Sequence, residues 1–212
     1  MLKDHGIEPA PDREKQTTWK EFLKAHWDVL VATDFTTVEV WKPWGLETYY
    51  ILVVIKLSTR RIEIAGITTD PDAAWIQQMG RNMIDCYDGF LLGTKYLILD
   101  RDTKFDAFRG VLENTDTEVI LLPPRSPNLN AYCERFMRTM KTECLNKLIF
   151  FREDSLRRAL KEFTEHYRSE RNHQGIGNNI IEAGDEVGCT IGEIQCNDRL
   201  GGMLKDYYRD AA

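Results

Sequence analysis

Two apolar runs each close on an aspartate: Asp34 in "VLVATDF" and Asp100 in "KYLILD". Glu134 follows "SPNLN", a stretch suited to a turn and the start of a helix. Buried carboxylates without partners are costly, so acids at the ends of two adjacent strands call for an explanation. For either aspartate alone a turn or helix-cap role suffices, since Asp is common just after strands. With Glu134 added, a divalent metal becomes the stronger explanation, because it takes oxygen ligands and removes the penalty between like charges. Three carboxylates converging on one sheet end would hold two metal ions. One ion would activate the attacking water or hydroxyl and the other would stabilise the leaving oxygen, as phosphodiester chemistry requires.

The elements that must position these groups follow from periodicity. Thr18 and Glu21 are spaced as a capping box for a short helix over about 18–26. "DVLVATDF", "ETYYILVVIKL" and "RRIEIAGI" read as three strands, joined by "KPWG" and by a turn around Ser58 and Thr59; such short links imply an antiparallel meander. A helix follows, with Pro71 early and Gly89 at its close. Then come a strand at "KYLILD", a helix at "KFDAFRGVLENT" and a strand at "EVILLP". A long helix is expected from Asn128 to about Ile149, and another from Glu153 to Glu170. The order implies an α/β domain with a five-stranded mixed sheet flanked by helices, the first strand lying centrally. An arm and short helix (1–26) precede the core (27–175). The Gly- and Asn-rich "GIGNN" marks the passage to a tail (176–212) with strand-like pieces in "GCTIGEIQC".

On the long helix, Cys133, Phe136, Met137, Met140, Cys144 and Leu148 form an apolar stripe, while Glu134, Arg138 and Lys141 share another face. That face reads either as a solvated surface with an ion pair or as a glutamate at a metal with cations reaching towards phosphates. Asp102 is read as a loop cap. His166 and His173 are read as packing and capping residues near a helix end. The five tryptophans are assigned to the core or to the contact made by the N-terminal helix.

Composition narrows the classes. The chain has 212 residues, 42% apolar and 29% charged, the balance of a globular protein. No apolar run approaches the roughly 20 residues of a membrane span, and residues 1–18 lack a signal-peptide core, so no membrane and a cytoplasmic location are expected. Five cysteines without tight pairing argue against a disulfide framework. A net charge of −6 disfavours a nucleic-acid partner on its face. Its distribution tells otherwise: residues 125–171 hold eleven Lys/Arg against seven Asp/Glu, a local +4 that leaves −10 for the remainder.

The quoted stretches "VATDF", "LILDRDTKF" and "LPPRSPNLNAYCERFMRTMKTECL", with "HYRSERNHQG" after them, resemble the integrase-type catalytic core of bacterial insertion-sequence transposases, relatives of retroviral integrases. The ordered set is specific: Asp34, Asp100 after 65 intervening residues, and Glu134 after 33 more, within P-x-x-N-x-x-x-E-R. The resemblance spans roughly residues 15–175 and implies an RNase H-like fold. It further implies a metal-binding catalytic triad of Asp34, Asp100 and Glu134 using Mg²⁺ or Mn²⁺. Asn130 would shape the turn before Glu134, and Arg125, Asn130, Arg135, Arg138 and Lys141 would be candidates for contacting DNA. The expected activity is hydrolysis of a DNA phosphodiester followed by strand transfer, with DNA and further copies of the chain as partners. The second motif departs from the family's usual D-x-G, reading Asp100-Arg101-Asp102. Complete transposases of this kind carry an N-terminal helix-turn-helix region, and here only a short arm precedes the core; a fragment, a truncated product or a partner-dependent protein are all compatible. The rival expectations are a stand-alone RNase H-like nuclease and a non-catalytic remnant that binds DNA or transposase.

Overall fold

The computed structural model describes residues 18–113, 115–122, 130–185 and 187–209. Helix α1 (Trp19–His26) opens with the expected capping box: the Thr18 hydroxyl accepts from the Glu21 amide, and the Glu21 carboxylate accepts from the Thr18 amide at 2.9 Å. Strands β1 (Leu30–Lys42), β2 (Gly45–Lys56) and β3 (Ile62–Thr68) form the antiparallel meander. Strands β4 (Tyr96–Leu99) and β5 (Glu118–Leu121) then add in parallel beside β1, giving the order β3-β2-β1-β4-β5. The chain order forces this arrangement, because parallel neighbours need crossovers. Helices α2 (Ala73–Met83) and α3 (Asp106–Leu112) supply them.

Side chains alternate between the two faces of a strand, and β1 shows it plainly. Leu30, Ala32 and Val40 enter one apolar layer, closed by α1, α4 (Ala131–Glu143) and α5 (Arg152–Ser169). Val31 points into the opposite layer, under α2 and α3. Gly66 of β3 lies so close to α2 that a Cβ there would meet Met79 Sδ at 2.5 Å and Trp75 at 2.6 Å, which is why that position carries no side chain.

The sheet departs from expectation in two places, and two helices do as well. A sixth strand, β6 (Phe150–Phe151), pairs in parallel with the far end of β1 at Val40 and Trp41. β1 itself does not end at Asp34 but runs on to Lys42, because the alternating segment after Asp34 pairs with β2 through the turn at Pro43 and Trp44. Helices α2 and α4 are shorter than expected. α2 starts from an Asp72 cap and stops at Met83, six residues before Gly89. α4 breaks at Cys144 and passes into a 3₁₀ turn at Leu145–Lys147, leaving Leu148 outside the helical stripe but still packed on the core.

The tail forms a hairpin, β7 (Ile194–Arg199) and β8 (Leu204–Arg209). It docks on α5: Arg199 pairs with Glu165 at 2.5 Å and Glu170 at 2.7 Å, the Leu200 amide donates to Glu162, and Leu200 and Leu204 enter the core. Two tryptophans correct the core assignment, since Trp41 is 48% and Trp44 84% exposed near the β1–β2 turn. Among the described residues no helix is long and apolar enough to cross a membrane.

Candidate active site

Register brings the two aspartates together. Parallel pairing sets Ala32 of β1 opposite Ile98 of β4, so two residues further along Asp34 and Asp100 stand opposite one another, just past the paired stretch. Each keeps the parity of its partner below it. Ala32 and Ile98 both face the α4–α5 layer, and so do the positions of Asp34 and Asp100. The two carboxylates also share a local geometry: each accepts from the next backbone amide at 2.7 Å, Phe35 N–H to Asp34 and Arg101 N–H to Asp100.

Glu134 arrives from above on α4. Its neighbour Cys133 is fully buried, with Phe136 and Met140 on the same stripe, and this anchoring fixes how the helix is rotated. Glu134 is left half-buried beside the stripe, while Arg135 and Arg138 are exposed and Lys141 is half-buried. Burial pushes the Cys133 thiol well above its ordinary range, and the charges of Asp34 and Glu134 push the same way.

Asp34 carries the strongest signature. Burial raises its carboxyl from the usual range to about 6, against the lowering effect of the Phe35 amide, and the negative charges of Asp100, Glu134 and Asp102 add to the rise. Asp34 therefore feels the charge of three other acids at this sheet end. Asp102 is differently engaged, as its reading as a loop cap requires. It caps the 3₁₀ turn at Thr103–Phe105 by accepting from the Lys104 amide at 3.0 Å, pairs with Lys104 Nζ at 3.1 Å, and is held below the carboxylate range by that amide bond and the lysine.

Asn130, at the head of α4, is 5% exposed, and among the described residues neither its amide nitrogen nor its oxygen has a hydrogen-bond partner. It makes no side-chain cap on the helix, so a local structural role does not use its polar atoms. Such buried, unsatisfied groups are rare and mark places where a partner is missing. Arg125 lies outside the described residues. Among the described residues no three His, Cys, Asp or Glu side chains stand close enough to grip a metal ion. The chemistry of the set nonetheless suits one: all-oxygen donors, with the charges of its neighbours pressing on Asp34.

The histidines have the roles read from sequence. His166 Nδ1 bonds Glu170 at 2.8 Å and His173 Nε2 bonds the Tyr167 carbonyl at 2.7 Å. Cys133 and Cys144 are buried, and Cys189 and Cys196 join no ligand cluster among the described residues. The residue that sequence reasoning passed over is Arg60, in the β2–β3 turn. It stacks on Trp27 and Tyr132, with its guanidinium carbon 5.2 and 4.4 Å from the ring centroids. Its one sequence signal is the doubled arginine of "STRR" at a turn.

Comparison with known proteins agrees with this architecture. Residues 115–179 match the family model of the integrase core domain. The fold is similar to that of the catalytic core domain of BIV integrase, at 16% identity and a TM-score of 0.51 over 73% of this chain and 91% of that one. It is also similar to a chain of the simian T-cell lymphotropic virus intasome solved in complex with PP2A regulatory subunit B56 gamma. There the identity is 10% and the TM-score 0.53, over 86% of this chain and 67% of that one. No curated protein matches the sequence.

Proposed function

We propose that this chain, whose residues 115–179 match the integrase core domain model, is a transposase-type polynucleotidyl transferase acting on DNA phosphodiesters. The observation that carries the reading is the β1–β4 register, which sets Asp34 opposite Asp100 on the face towards the helix of Glu134. In this reading Asp34, Asp100 and Glu134 hold Mg²⁺ or Mn²⁺, which would supply charge neutralisation and a more acidic water or hydroxyl. The chain's own residues supply the rest. Asp34 and Asp100 present oxygens from a rigid sheet, each steadied by the next backbone amide. Glu134 is fixed by the buried stripe of α4, and rigidity matters because misplacement by about an ångström costs on the order of a hundredfold in rate. Arg138 and Lys141, one and two turns further along α4, would bind the phosphates flanking the reacting one.

Two steps are proposed: hydrolysis freeing a 3′-hydroxyl, then attack by that hydroxyl on a second strand. Labelled DNA incubated with Mg²⁺ or Mn²⁺ tests both. The expected result is metal-dependent cleavage and joined products from the wild type and neither from Glu134→Gln. Cleavage that survives in Glu134→Gln refutes the assignment. One observation favours a second reading, a non-catalytic DNA- or transposase-binding core: no three described acids stand close enough to grip an ion. DNA binding without cleavage under any metal condition would select it.

A further inference from the structure

Beside α4 lies a cleft of about 370 Å³ between the β2–β3 turn, α4 and the segment after α5. Three arginines line it, Arg60, Arg135 and Arg171, together with Asn172 and Asn178. Among the described residues neither Arg60 nor Arg135 has a carboxylate partner; Arg171 pairs with Glu143 from one side. Burial holds the Arg60 guanidinium below its ordinary pKa, and the charge of Arg135 pushes slightly the same way.

Arg60 is also held in place with unusual effort. Its backbone lies in the left-handed region at φ 62°, rare for a residue with a long side chain. Its guanidinium rests on the Trp27 and Tyr132 rings, which fix the plane of the fork beside the cleft that Arg60 lines. Nη1 is buried and has no hydrogen-bond partner among the described residues. Gly175 makes the pose possible, because a Cβ there would lie 2.9 Å from Arg60 Nε and 3.0 Å from Nη2. A guanidinium fixed by two rings and a glycine, with an idle donor and another arginine opposite, is the arrangement that recognises a tetrahedral oxyanion.

We propose that this cleft binds a backbone phosphate of a nucleic-acid strand through Arg60 and Arg135, with Arg171 and the two asparagines completing it. The identity of the strand rests on the function proposed above. Arg135 directly follows Glu134 on α4, so a strand lying at the carboxylates can continue over the helix into the cleft. The site would thereby hold a phosphate outside the reacting centre and set the register of the strand.

Binding of a fluorescent 20-mer DNA duplex is to be measured by anisotropy over a salt series, without divalent metal. Arg60→Gln and Arg135→Ala are each expected to reduce the slope of log affinity against log salt by about 1. Gly175→Ala keeps every charge and is expected to weaken binding by pressing its methyl against the guanidinium. Inorganic phosphate is expected to raise the melting temperature of the wild type more than that of Arg60→Gln, and to compete with the duplex. Wild-type slopes in folded Arg60→Gln and Arg135→Ala would overturn the site, as would equal phosphate stabilisation of all variants. If Arg60→Gln fails to fold, the exposed Arg135→Ala decides alone. Phosphate that binds but is not displaced by DNA would overturn the nucleic-acid assignment. These readouts need no cleavage, so their failure is separate from a failure of the Glu134→Gln experiment.

Discussion

The substitution Asp34→Asn should stabilise the metal-free protein at neutral pH, and the size of the effect follows from the site. Burial and three neighbouring acids raise the Asp34 carboxyl from 3.8 to about 6 in the fold. Because the folded value lies above the unfolded one, the native state holds the proton more tightly. Well below pH 3.8 the carboxyl is protonated in both states and the burial penalty is absent. As pH rises towards 6 the unfolded chain ionises first, stability falls, and above 6 the full penalty applies. A separation of about two units corresponds to roughly 3 kcal/mol. Asparagine keeps an oxygen that can accept from the Phe35 amide, now at 2.7 Å, and never ionises. Urea unfolding of both proteins at pH 4, 5, 6 and 7 without divalent metal reads the difference directly. The wild type should lose stability across this range by on the order of 1–3 kcal/mol more than Asp34→Asn. Parallel pH profiles, or an Asp34→Asn protein that is the weaker of the two at pH 7, would refute the crowded-carboxylate account.

Mn²⁺ should raise the melting temperature of the wild type at pH 7 and leave Asp34→Asn unmoved, since the ion relieves repulsion only where all three acids remain; equal shifts would count against the site. Asp102→Asn should retain part of any metal-dependent cleavage, because Asp102 is spent on the Lys104 amide and ammonium; an inactive Asp102→Asn would exchange its role with that of Glu134. Arg199→Ala should lower stability by about 1–3 kcal/mol in thermal melts, since it leaves the half-buried Glu170 with a lost charged partner; an unchanged melting curve would show that the tail's apolar contacts suffice.

Much of this was legible in the sequence for identifiable reasons. The meander followed from three β-rich runs with links too short for anything but antiparallel pairing, and the central place of β1 followed from the crossover that comes after it. Glu134 could be oriented because Cys133, Phe136 and Met140 repeat at helical spacing. The end of β1 was misread because Asp34 interrupts an apolar run that the strand itself does not respect: interstrand pairing with β2 carries the chain through a polar residue. The end of α4 was misread because the apolar spacing runs on past Cys144, where the backbone has already turned to φ −127°, ψ −71°. The arginine cleft was invisible. Arg60, Arg135 and Arg171 belong to three elements, and only the tertiary packing of Trp27 and Tyr132 brings their charges to one hollow.

The strand order also fixes a sequence of events in folding. β1, β2 and β3 are consecutive and joined by tight turns, so their contacts close small loops and can form early. β4 reaches β1 only after the excursion through α2, and α4 comes later still along the chain. Asp34 can therefore enter the nascent sheet before Asp100 or Glu134 is beside it. The like charges of the site can therefore be brought together late, when α4 closes over the sheet. Neutralising the acids should accordingly leave the folding rate almost untouched and show itself in slower unfolding.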